Sequence, residues 1–120
     1  MCDFFGMEVT NLLDIHTRSE LYAWFVDNHA GVPFFWLRVN RSPADCPGVV
    51  RYSDAVEVAL CFGWIDSTLK RVDGKLFQRF SPRRPGSNWS THNLERCKRL
   101  VLSREMTPSG LAALPPVSVL

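Results

Sequence analysis

Apolar and polar positions follow two rhythms along this chain. Leu21, Trp24 and Phe25 recur at helical spacing. Before them, Thr17-Arg18-Ser19-Glu20 matches a capping box, in which Thr17 accepts from an early amide and Glu20 reaches back. Gly31 stops the run, so a helix is predicted from 18 to about 29, with Trp24 as a core anchor. Phe34 to Val39 (FFWLRV) is aromatic and β-rich between Pro33 and Pro43, and predicts a strand over about 34–39. After a loop over 41–52, Ser53 is suited to cap a second helix. Asp54 and Glu57 sit in its first turn, where the dipole favours them. Ala55, Val56, Val58, Ala59 and Leu60 make this helix largely buried, and Gly63 suits a left-handed stop.

From Trp64 the period drops to two. Runs from Trp64 to Lys70 and from Lys75 to Phe80 flank Asp73-Gly74, a strong hairpin signal, so a hairpin is predicted over about 64–80. If Ile65 and Leu69 face the core, Asp66 points to the other side, toward Arg79. Ser90 or Thr91 caps a third helix with Leu94, Cys97 and Val101 on one stripe. Thr107-Pro108 reads as a cap and first-turn proline of one more short helix. Residues 1–15 have no clear period and read as a loose arm, and 111–120, interrupted by Pro115-Pro116, as an atypical short tail.

These elements predict an α+β fold: a small, mainly antiparallel sheet, in which the 34–39 strand joins the hairpin, packed with about three helices. At 120 residues the chain is one domain. With 46% apolar residues, including eight Phe and four Trp, it can build a core without disulfides. The four Cys (2, 46, 61 and 97) show no CxxC, and His16, His29 and His92 are scattered, so no metal or other cofactor is expected. The chain shows no signal-peptide pattern and no long apolar run, so a cytoplasmic location and free thiols are the expectation.

Charge changes the picture more than composition does. The net +2 conceals ten Lys or Arg against two acids between Lys70 and Arg104, a local +8, while the remainder carries −6. Such a segment can steer anions. Within it, Arg83-Arg84 stand between Pro82 and Pro85, which stiffen the backbone and lower the entropy lost on binding. Guanidinium forks suit phosphate or carboxylate. Ser87, Asn88 and Ser90 add short donors beside a helix start. The candidate ligand site therefore comprises Arg79, Arg83 and Arg84 as cations, Trp64 and Trp89 as walls, Asp66 and Asn88 as orienting groups, and Ser87 and Ser90. The competing reading makes Arg83 or Arg84 an internal clamp and Trp89 a core plug. Cys61, Asp66 and His92 form a weaker nucleophile–base constellation that nothing in the spacing fixes.

An ordered set of motifs resembles the YdeI/OmpD-associated family, also labelled bacteriocin-protection proteins. These are AVEVALCFGWIDS (55–67), QRFSPRRPGSNWS (78–90), Asn93 with Arg96, and Met106-Thr107-Pro108 with Gly110. The resemblance spans roughly 17–112 and identifies the chain as a C-terminally short member, with a longer proline-containing loop after the first strand. It implies a link to envelope stress or antimicrobial-peptide resistance and carries no established reaction. The expected function is a non-enzymatic binding domain for an anionic small molecule or acidic protein surface. Two alternatives stand beside it: an enzyme on a phosphorylated or carboxylated substrate with Asp66 as base, and single-stranded nucleic-acid binding through interleaved arginines and aromatics.

Overall fold

In a computed structural model, residues 9–115 are described, and they form an α+β fold. The elements in chain order are α1 (Arg18–Asn28), β1 (Phe35–Asn40), β2 (Val50–Arg51), α2 (Tyr52–Cys61), β3 (Trp64–Val72), β4 (Lys75–Pro82), α3 (Thr91–Leu102) and α4 (Pro108–Ala112). The sheet order is β2-β1-β4-β3. β1 pairs antiparallel with β4, and β4 with β3, while the two-residue β2 adds in parallel to β1.

The local signals act largely as expected. Thr17 caps α1 by accepting from the Glu20 amide. Ser90 caps α3 through the Asn93 amide, and Thr107 caps α4 through the Gly110 amide with Pro108 in the first turn. Asp73 and Gly74 both have positive φ (51° and 76°), as a tight primed turn requires. Ser53 corrects the expected start of α2: it lies inside the helix, and Arg51, the N-cap, makes no side-chain capping bond. Backbone pairing of Val50–Arg51 with β1 fixes the chain direction there instead. The N-terminal arm is tied down in part, since the Leu13 amide donates to Trp36 O (2.9 Å) and the Trp36 amide to Asn11 O (3.0 Å). The rest of the expected arm, 1–8, and 116–120 of the expected tail lie outside the described residues.

The core lies between the sheet and α1, α2 and α3. Phe25 stacks on Phe62 (5.1 Å between centroids) and meets Trp64 edge-on (5.2 Å), and Phe35 stacks on Phe80 (5.2 Å). Trp24 reaches Phe35 and Trp64 as an anchor, though it is only half-buried. On α3 the buried positions are Cys97 and Leu100, while Val101 turns outward. Each large side chain buried here is worth about 1.5–3 kcal/mol before entropy is charged against it.

One guanidinium joins two helices and the chain after α3. Arg18 donates to Asp54 (2.8 Å) and Glu57 (3.0 Å) on α2 and to Glu105 (2.9 Å) after α3, and Arg99 also donates to Glu57 (3.1 Å). Burial opposes charge on Arg18, but the three carboxylates more than offset it and raise its pKa. Among the described residues no helix is long and apolar enough to cross a membrane.

β3 carries one irregularity. Asp66 pairs with Phe80 and Leu69 with Gln78, so two residues, Ser67 and Thr68, stand opposite Arg79 alone. This is a β-bulge. Gln78, 2% exposed, fills the gap from the core side, its Nε2 donating to Thr68 O and Arg79 O, both at 3.0 Å.

Candidate functional site at the basic loop

The loop after β4 is anchored at its first residue, where the Arg83 amide donates to Gly63 O (2.9 Å). Arg84-Pro85-Gly86-Ser87 then turns, with Gly86 at φ 75° and the Ser87 amide donating to Arg84 O (3.2 Å). Proline second and a positive-φ glycine third is the pattern of a type II turn. The turn folds the loop back so that Arg83 lies 3.7 Å over the Trp89 ring, a cation–π contact worth about 0.5–2 kcal/mol. Arg83 Nη1 also donates to Ser87 Oγ and Asn88 O, both at 3.3 Å, near the outer limit of a useful bond.

Arg83 therefore braces the loop, yet incompletely. Its Nε is buried and has no partner among the described residues. Burial lowers its pKa, opposed by Cys97 and by the Asp66 carboxylate, but an arginine keeps its proton in proteins. The result is a charge held partly out of water with a donor to spare. Arg84 is exposed and lines a concavity of about 430 Å³ together with Arg83, Pro85, Gly86, Gly63 and Ser109 and the apolar Phe62, Ala112, Ala113 and Leu114. Gly63 is required there twice over: its φ is 77°, and a Cβ would come within 2.8 Å of Ser109 O.

The remaining predicted site residues do not converge on that concavity. Trp64 is 1% exposed and belongs to the core. Asp66 shares the helix-covered face with Phe80 and accepts from the Tyr52 hydroxyl at 2.5 Å. Arg79 lies on the opposite face, over the Phe34 ring at 4.4 Å and 3.4 Å from Ser67 Oγ. The expected Asp66–Arg79 pair is thereby corrected: adjacent register positions point to opposite faces. Trp89 is half-buried against the core behind Arg83. Ser87 and Asn88 serve the brace, and Ser90 is occupied as the α3 cap. In the loop Arg83 thus acts mainly as a clamp, while Arg84 is exposed.

Tyr52 was missed by sequence reasoning. Its hydroxyl is held protonated, the pKa pushed up to about 12 by burial and by Asp66, while Arg41 lies 4.4 Å over its ring. Neither inner thiol is poised as a nucleophile: burial pushes Cys61 up to about 12 and Cys97 up to about 11. His92 is exposed at the start of α3.

Residues 13–113 match the family described as "Domain of unknown function (DUF8412)". That is most of the chain, which belongs to this family. No curated protein matches it, and no solved structure does either.

Proposed function

We propose that this DUF8412 domain is a non-enzymatic binding module for an anionic small molecule or an acidic protein surface, engaged beside Arg83 and Arg84. The observation that carries the reading is the orphaned, buried Nε of Arg83 next to an open concavity rimmed by exposed Arg84. A buried donor without an acceptor is costly, about 1–3 kcal/mol. An anion seated there lowers that cost and meets Arg84 in the same step. Desolvation by Trp89 strengthens the attraction, since water no longer screens that side of the charge.

The enzyme alternative is weaker because the Asp66 carboxylate is already engaged, accepting a hydrogen bond from the hydroxyl of Tyr52 at the start of α2. Strand binding is weaker too: Trp64 is sealed in the core, and Arg83 covers Trp89. The motif resemblance to YdeI/OmpD-associated proteins extends the proposal to a cytoplasmic role connected with envelope stress or bacteriocin resistance.

Thermal shift with citrate tests the reading. Saturable stabilisation is expected, approaching about 2.7 kcal/mol at a hundredfold excess over Kd. It is expected to vanish in Arg84→Ala and to persist in Asp66→Asn. No anion response in the wild type, or an equal response in Arg84→Ala, overturns it.

A further inference from the structure

We propose a second anion site at the other end of β4, built to hold the phosphate groups of a small phosphorylated molecule. A concavity of about 370 Å³ opens there, lined by Arg38, Asn40, Arg41, Ser42, Arg71 and Lys75 among others. Three separate segments supply these residues: the end of β1, the loop after it, and the hairpin turn between β3 and β4. Four cations line it and no Asp or Glu does.

The disposition of neighbouring charges makes the imbalance specific. The nearby Asp45 carboxylate is taken by Arg51 at 2.8 Å. Arg41 rests over the Tyr52 ring at 4.4 Å, and Arg71 donates to Gly74 O at 3.4 Å. Arg38 and Lys75 make no ion pair among the described residues. Like charges gathered in a recess repel one another. Guanidinium forks combined with an ammonium match the several oxygens of a phosphate or pyrophosphate. The volume lies near the lower end of the range for ligand pockets, about 300–1,000 Å³, which suits a small phosphorylated compound.

This site is independent of the basic loop. Lys75 begins β4 and Pro82 ends it, so the two recesses stand roughly 23 Å apart at about 3.3 Å per residue. One small ligand does not touch both.

The test is calorimetric titration of the full chain with inorganic pyrophosphate at constant ionic strength. One-to-one saturable binding at this recess is expected, distinct from any event at the loop, which Arg84→Gln removes. Arg71→Gln and Lys75→Gln are each expected to weaken it about tenfold or more, as loss of one charge-assisted hydrogen bond does. Arg84→Gln is expected to leave it unchanged, which separates this site from the loop. Thermal melts without ligand keep the comparison sound: each variant removes a repelling cation and is expected to melt no lower than wild type. Heats that match sodium chloride, or an affinity within about twofold in both variants, overturn the site. Tighter binding of a short single-stranded oligonucleotide that also falls in Arg84→Gln overturns the small-ligand assignment in favour of a strand spanning both recesses.

Discussion

Arg18→Met isolates the ion network that ties α1 to α2 and to the chain after α3. The guanidinium serves Asp54, Glu57 and Glu105 at 2.8–3.0 Å, with its own side chain 29% exposed and that of Glu57 16%. An exposed pair is worth about 0–1 kcal/mol, whereas stripping the partner from a buried charge costs about 3–5. Three half-buried contacts fall between these limits. Methionine keeps much of the aliphatic stem while leaving carboxylates facing one another. We expect a loss of about 2–3 kcal/mol at neutral pH, or roughly a 1 M fall in the urea midpoint for a domain of this size. The pH dependence fixes the cause. Arg18 lowers the Glu105 pKa below its ordinary 4.5, with Ser103 assisting. A depressed carboxylate pKa contributes stability that is full above the unfolded value and lost as pH falls through the folded one. The gap between wild type and Arg18→Met should therefore be widest above pH 4.5 and close below it. A loss under about 0.5 kcal/mol, or one that persists undiminished in acid, refutes an electrostatic origin. Arg99→Met, removing one exposed bridge to Glu57, is the control and should cost less than about 1 kcal/mol.

Two further substitutions probe backbone and bulge. Arg104 follows the C-cap of α3 at φ 65°; Arg104→Gly removes a left-handed strain of about 1 kcal/mol and should raise the melting temperature by several degrees, an unchanged or lower value counting against it. Gln78→Leu leaves Thr68 O without its side-chain donor inside the sheet. It should cost about 1–3 kcal/mol by urea titration, and a neutral result would mean that water satisfies the bulge.

Most of the fold was legible because its signals are local. Capping at Thr17, Ser90 and Thr107, the primed turn at Asp73-Gly74 and the stop at Gly63 each depend on a few neighbouring residues. β2 was not legible, since two residues give no period and Val50–Arg51 become a strand only by pairing with Val39–Asn40. Ser53 was misread for a related reason: pairing set the N-cap of α2 at Arg51, two residues before its best capping residue. The Arg18 network was equally hidden, because its partners lie 36 to 87 residues away.

The candidate site failed where parity failed. Reading β3 with strict alternation placed Ile65 and Leu69 together and sent Asp66 toward Arg79. One inserted residue between Asp66 and Leu69 breaks that alternation, and a slip of one position moves a side chain through the sheet. The signal was present in an unexpected place: Gln78, an amide on an otherwise apolar core face between Leu76 and Phe80, is the kind of residue a bulge recruits to satisfy its freed carbonyl. With the bulge in place, Asp66 turns inward to Tyr52 and Arg79 outward to Phe34. The cations predicted as one cluster are thereby distributed over two faces. What survives at the loop is the pair set by Pro82 and Pro85, whose geometry depends on the turn rather than on strand parity. The prolines and Gly86 therefore matter more to that recess than Asp66 or Arg79 do, and the anion affinity proposed for it should follow the turn.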